Sequence, residues 1–533
     1  LDQDSFVGAK AYIADSYFSR TIEMVRLGGA VGALRAGDIS IINCVHDNLG
    51  EHDNVYGVRL FSNPTFNKLE VKDCYFTNYD KNSIGSRVGI DLSSTTNTAF
   101  DVMIQNNEFF DFYSNSGGSD HVAAVLYDVA PAGAAHTIRV FDNTINRLSS
   151  ENDECAGIKI EQGSASSHVL QISRNNISHI GDNGASSLNC FGIYVAGNGG
   201  AGLGTSANIT HNAIYSVLAN AGGVSLASGI HVVNSDRVTI ADNYVASIRS
   251  AASGASGAGI RVDHGVAARN LLIDNNFIDQ GVAAVASQAQ LCIYVRTTNI
   301  LEHYTIRGNM CRTSTTALAG ISLADHDGSQ GYVDGIISDN TVIMRTTASG
   351  VSGIECFLGG NSRALKVHGN MVQETTYGAH NETHRGILVS ANNGGGGVPH
   401  SVSVVNNTVY GPKTGALRTS ANRIGIWMRG PMRRTIVSAN MVDWNEPGVL
   451  EGIGIKYNDD ITGTAVSSGH LCTSNFVRGD NSAVPGGEIH IDTTTYINGF
   501  LDSNQVGDGA GAVGTLVPAS AAGGWTYGTN KLS

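Results

Sequence analysis

The chain has 533 residues with 66 Gly, only 8 Pro and 15% charged side chains, and no compositional shift marks a linker, so one uniform architecture fits better than the three or four domains that length alone suggests. Its 33 Lys and Arg against 46 Asp and Glu leave a net charge of −13, which argues against a basic surface for nucleic acid. No apolar run reaches about 18 residues and no basic-then-apolar leader opens the chain, which argues against a membrane span and a recognisable signal peptide; the first residue is Leu1 rather than Met, as in a processed product.

Residues 1–38 read as a cap or first coil. From residue 39 onward one short pattern, apolar-x-x-Asn-x-apolar, recurs. Cys44 and Cys74 open its central column, and Asn107, Asn143, Asn175, Asn212, Asn243, Asn276, Asn309, Asn340, Asn370, Asn407, Asn440, Asn475 and Asn504 continue it. Successive copies lie 29 to 37 residues apart, and Asn530 is a candidate for one more. A second pattern precedes most copies: Gly57, Gly89, Gly157, Gly192, Gly229, Gly259, Gly320, Gly386 and Gly425 each open a strand with period-two alternation, eight of the nine continuing with Ile.

β-branched and aromatic residues dominate these segments, which makes a helical or leucine-rich repeat a poor fit. Each repeat then holds a Gly-Ile strand, a short turn, a second strand, the Asn turn, a third strand and a variable Gly/Ser/Ala-rich loop. Stacking such repeats pairs each strand with its equivalent about 4.8 Å away. The predicted fold is all-β, a right-handed parallel β-helix of about fifteen coils over residues 39–510, with 511–533 as a cap or last coil. A recurring Asn can take the left-handed conformation at a bend and bond to the Asn above and below, so the column reads as structural. Most of the eight Cys fall at inward positions and none forms a C-x-x-C pair, which reads as buried free thiols.

The order strand, turn, strand, Asn bend, strand, long loop resembles the pectate-lyase-type β-helix across roughly residues 39–510. That resemblance implies that the Gly-Ile strands form the flat sheet carrying a substrate groove, and fold alone does not set the reaction.

Two and four residues beyond each Gly, side chains point outward and form two columns. Lys159, Tyr194, His231, Arg261 and Tyr294 are consecutive in the first; Glu161, Asp263 and Arg296 fall in the second. Neighbours about 5 Å apart give a stripe of about 20 Å, the length of a short oligosaccharide. β-Elimination needs a base for the C5 proton, an acid for the leaving oxygen and a cation for the uronate carboxylate. His231 is the candidate base, Tyr194 or Tyr294 the acid, and Arg261 or Arg296 the cation, with Lys159, Glu161, Asp263 and Trp427 as substrate-binding residues. The plain alternative is a cross-strand ladder of cation and aromatic contacts.

Hydrolysis needs two carboxyl groups about 5 to 9.5 Å apart, for which Asp263, Asp325 and Glu355 are the candidates. Asp325 and Glu355 read as adjacent rungs. No cofactor is required, although Asp325 to Gly328 could hold Ca²⁺; an Asp-Gly turn is the preferred reading there. The loops 197–206, 219–228 and 392–399 could wall the groove. Trp427 and Trp444 are candidate stacking platforms, with packing the alternative for Trp444.

The long Asn- and Gly-rich helix also resembles phage tailspike polysaccharide depolymerases, although no head-binding or trimerisation segment is recognisable in it. That resemblance implies a homotrimer on the virion tail, acting on bacterial capsule, exopolysaccharide or lipopolysaccharide. A secreted, extracellular bacterial polysaccharide lyase is the second reading, and a non-catalytic adhesin or structural β-helix the third.

Overall fold

The computed structural model describes residues 10–27, 37–48, 54–60, 66–79, 85–93, 101–114, 121–129, 136–151, 154–162, 168–181, 189–197, 205–219, 226–250, 256–281, 289–325, 331–345, 350–375, 384–391, 398–411, 418–444, 449–458, 467–479, 489–491, 496–508, 516–517 and 525–532. Every regular element among them is a β-strand, and no helix long and apolar enough to cross a membrane is present among the described residues. The chain divides into two compact units, residues 1–268 and 269–533.

Each unit is a parallel β-solenoid whose coils contribute three strands in the anticipated order. In the first unit Asn189–Ala196, Ser206–Thr210 and Ala213–Ala219 pair in parallel with Leu226–Val233, Arg237–Ala241 and Tyr244–Ser250, one coil on. The register puts Ile193 on Ile230, Ile209 on Ile240 and Val217 on Ile248, all fully buried. The second unit repeats the scheme, with Ile354 on Ile387, Val367 on Val404 and Val372 on Val409. Burying each such side chain is worth about 1.5–3 kcal/mol. The second unit also carries a short fourth ladder: Leu301–Glu302 pairs with Tyr332–Val333, and bridges continue it through Arg363, His400 and Arg433.

The Asn column is a continuous hydrogen-bonded ladder within each unit. Asn107, Asn143, Asn175 and Asn212 each donate Nδ2–H to the Oδ1 of the next Asn at 2.9–3.0 Å. In the second unit the same bond runs from Asn276 to Asn530 at 2.8–3.0 Å, so Asn530 is one more copy. Each of these Oδ1 atoms also receives the backbone N–H of the preceding Asn, as in Asn143 to Asn175, and the amide's second hydrogen meets backbone carbonyls. A buried polar column is thereby satisfied without water.

One expectation is corrected. The ladder Asn is not the left-handed residue; its predecessor is, at Asn106, Asp142, Arg174, His211 and Asp242 in the first unit, with φ of 54–59°. The bend needs positive φ outside the coil, while the ladder side chain must point inward to reach its neighbours. Cys44 and Cys74 occupy the same column, and the Cys74 N–H donates to Asn107 Oδ1 at 3.0 Å, ending the ladder. All eight cysteines are free and buried.

Gly192 shows why a glycine opens the Gly-Ile strands. A Cβ there would lie 2.5 Å from Ile214 Cγ2 and 2.6 Å from the Gly229 carbonyl oxygen. The strand's alternation also shifts by one residue at this point. Cys190 and Ile193 are fully buried, so Phe191 shares the outer face with Tyr194, against which it stacks.

Candidate functional site

Four consecutive strands of the first unit, Glu154–Gln162, Asn189–Ala196, Leu226–Val233 and Ser256–His264, carry the candidate residues. Their register puts Lys159 beside Tyr194, Tyr194 beside His231 and His231 beside Arg261. In the second column Glu161, Ala196, Val233 and Asp263 follow one another. On the preceding coil Leu126 lies beside Lys159. Leu126 packs with Tyr56, Val88 and Ala123, so an apolar patch bounds the polar stretch on that side.

At the centre, His231 Nε2 lies 2.9 Å from Asp263 Oδ2, and the same oxygen accepts a hydrogen bond from Arg261 Nε. Burial opposes the negative charge of Asp263, but the His231 hydrogen bond and the Arg261 charge outweigh it and hold its pKa at about 2. Burial lowers the His231 pKa below the ordinary histidine value; Asp263 works against that shift and Arg261 adds to it. At neutral pH the imidazole is therefore neutral beside an ionised carboxylate that can only accept. The ring proton sits on Nε2, which leaves a lone pair on Nδ1. That nitrogen is buried and has no hydrogen-bond partner among the described residues.

Tyr194 and Phe191 flank this imidazole. Their rings stack at 4.8 Å, and each stands 5.3 Å from the His231 ring. Burial first, and then the charges of Glu161, Glu154 and Asp263, raise the Tyr194 pKa, so its hydroxyl stays protonated at neutral pH. Lys159 is 3% exposed and lies between Glu154 Oε1 at 2.9 Å and Glu161 Oε2 at 3.1 Å. Burial disfavours its charge, yet the two glutamates more than compensate and its pKa is raised. Lys159 is thus a buried counter-ion, and Arg261 is paired with Asp263; the sequence reading had assigned both cations to substrate.

Glu154 and Phe191 were missed because strict alternation through the glycine puts them on the inner face. The one-residue shift at Gly157 and Gly192 brings them out. The other candidates belong to the second unit. Tyr294 and Arg296, on Ala289–Thr297, pair with Ser322 and Ala324. Glu355 accepts a hydrogen bond from Ser322 Oγ at 2.7 Å, and burial raises its pKa. Asp325 and Glu355 lie on adjacent, paired strands as anticipated, but the partner of Glu355 is Ser322, and Asp325, paired with Thr297, stands three residues further on at the opposite strand parity. The side chain of Asp325 and the whole of His326 to Gly328, the Ca²⁺ candidate, lie outside the described residues, as do the Trp444 side chain and most of the loops 197–206, 219–228 and 392–399. Among the described residues no group of three His, Cys, Asp or Glu is placed to hold a metal ion.

Trp427 pairs with Leu388 and Lys456 in the first column. Its ring is 6% exposed, packed with Leu388, Ile424 and Ile453. No protein-family model, curated protein or solved structure matches the chain.

Proposed function

We propose that the Gly-Ile face of the first unit binds an acidic polysaccharide and cleaves it by β-elimination. The supporting observation is the His231–Asp263 pair with Tyr194 on the adjoining rung: a neutral imidazole with a fixed tautomer beside a protonated phenol. In this reading substrate binding first exposes the buried His231 Nδ1, which then takes the C5 proton; a C4–C5 double bond forms as the C4–O bond breaks, and Tyr194 protonates the departing oxygen. Arg261 divides its donors between Asp263 and the uronate carboxylate. The parallel β-solenoid is compatible with polysaccharide-binding proteins, and a tailspike-type depolymerase, with a homotrimer on a virion, is the setting we infer for it. Extracellular action as a bacterial lyase is the second setting.

Hydrolysis is the competing chemistry, favoured by one feature: Glu154 and Glu161 flank a single ammonium, so two carboxyl groups are held close together. Incubation with a panel of acidic and neutral bacterial polysaccharides, followed by mass analysis of the new chain ends, tests the proposal. Elimination yields an unsaturated end one water lighter than a hydrolytic end. His231→Ala should lower turnover by a factor on the order of 10²–10⁴ in a folded protein. Saturated ends, with activity lost in Glu154→Gln or Glu161→Gln but kept in His231→Ala, would establish hydrolysis instead. Binding without any new ends would make the face an adhesin surface.

A further inference from the structure

The second unit carries a separate convergence of charge. The guanidinium carbons of Arg385 and Arg429 lie 5.1 and 5.2 Å from the centroid of the Trp427 ring, and Lys456 Nζ lies 5.1 Å from it. Register explains the meeting: Arg429 and Lys456 stand two residues after and one rung beyond Trp427, and Arg385 precedes the glycine of the adjoining strand. An indole attracts a cation, but three cations on one ring repel one another in a chain whose net charge is −13.

Two further observations point outward to a ligand. Arg385 Nε and Arg429 Nε are buried and have no hydrogen-bond partner among the described residues, although Arg385 Nη1 donates to the Gly350 carbonyl at 3.1 Å. A buried guanidinium N–H without an acceptor is costly. Among the described residues the carboxylate that acts on Arg385 is Glu355, whose pKa is raised by its own burial, which weakens it as a counter-ion.

We propose that Arg385, Arg429 and Lys456 form an oxyanion-binding site over Trp427, taking a carboxylate, sulfate or phosphate group. The site is independent of the His231 chemistry. A planar or tetrahedral oxyanion supplies several acceptors at once, which suits two guanidinium forks and an ammonium. Trp427 beneath them makes occupancy visible as a change in fluorescence.

The test uses the full chain at constant ionic strength, titrated separately with inorganic phosphate, tetragalacturonate and maltotetraose, reading tryptophan emission and melting temperature. Saturable changes are expected with phosphate, tetragalacturonate or both, and none with maltotetraose. Markedly tighter binding of tetragalacturonate identifies an acidic sugar as the source of the anion, and equal binding per charge identifies a free anion. Arg429→Gln and Lys456→Gln should each weaken phosphate binding about tenfold or more. Should Arg429→Gln fail to fold, Lys456→Gln, which replaces the ammonium with a neutral amide, carries the comparison. No saturable response to either anion, or unaltered affinity in folded Lys456→Gln, overturns the proposal.

Discussion

His231 and Asp263 act on each other through one hydrogen bond, and the sign of each effect sets what their substitution should do. Asp263 raises the proton affinity of His231, while burial and Arg261 lower it, with burial dominant. Turnover that depends on the neutral imidazole should therefore be flat through neutral pH and fall only below the ordinary histidine range. An acid limb lying above pH 6.5 in a kcat profile would count against His231 as the base. In Asp263→Asn the carboxylate's contribution is gone, so the imidazole pKa should drop further, which NMR titration of its ring carbons reads without any substrate. An Asn amide that donates to Nε2 would also move the ring proton to Nδ1 and remove the lone pair. Turnover should then fall by a factor on the order of 10²–10⁴ in a protein that still folds.

Among the repeating elements, the Asn ladder and the Gly-Ile strands carry different loads. Asn243 accepts from both the backbone N–H and Nδ2–H of Asn212, at 2.9 and 3.0 Å, and donates to the Ile209 and Ala241 carbonyls. Asn243→Ala leaves those buried partners unsatisfied, at a cost of roughly 2–4 kcal/mol. It should melt at a clearly lower temperature while its specific activity stays near normal, since it lies on another side of the coil from His231. Lost activity in a fully folded Asn243→Ala protein would contradict the structural role. Gly192→Ala meets backbone as well as a core side chain, so relief requires the coils to separate. Its melting temperature should fall by an amount corresponding to about 2 kcal/mol or more, and a neutral outcome would show that the close approach is not required.

Over the whole molecule, the narrow core contains histidines that must stay neutral. In the first unit burial lowers His46, His168 and His264 to about 4 and His136 to about 3. The unfolded chain, with histidines near 6.5, binds more protons than the folded one below that pH. The stability contributed by these residues is complete above about 6.5 and is lost as pH falls toward 3–4, on the order of 1–3 kcal/mol each. Melting temperature should decline steadily between pH 6.5 and 4, and His136→Phe should flatten the decline; a constant melting temperature over that interval would refute the assignment. The thiols obey the same solvation rule, with Cys74 and Cys472 pushed up to about 12. Ellman's reagent should label none of the eight cysteines until the chain unfolds, and rapid labelling of any one in the native protein would show that its coil opens.

The β-solenoid was legible from sequence because its period is written in residues that only one geometry satisfies: an Asn that bonds to its own copy one coil away, and alternating aliphatics that fill a core one side chain wide. Strand register followed from the same spacing, and so did the run Lys159, Tyr194, His231 and Arg261 along one face. Which of those side chains pair with each other was not legible. A column of outward positions says nothing about rotamers or burial, so the Lys159 salt bridges and the sharing of Asp263 between His231 and Arg261 emerged only in three dimensions. Glu154 and Phe191 were hidden by the parity shift at the glycines, and the left-handed residue before each ladder Asn by the competing demands of bend and core. Three cations of the second unit meet on Trp427 for the same reason: residues dozens of positions apart become neighbours only when the coils stack. Local pattern determined the strands and their pairing, while desolvation and charge across neighbouring coils decided the protonation state and partners of each polar side chain.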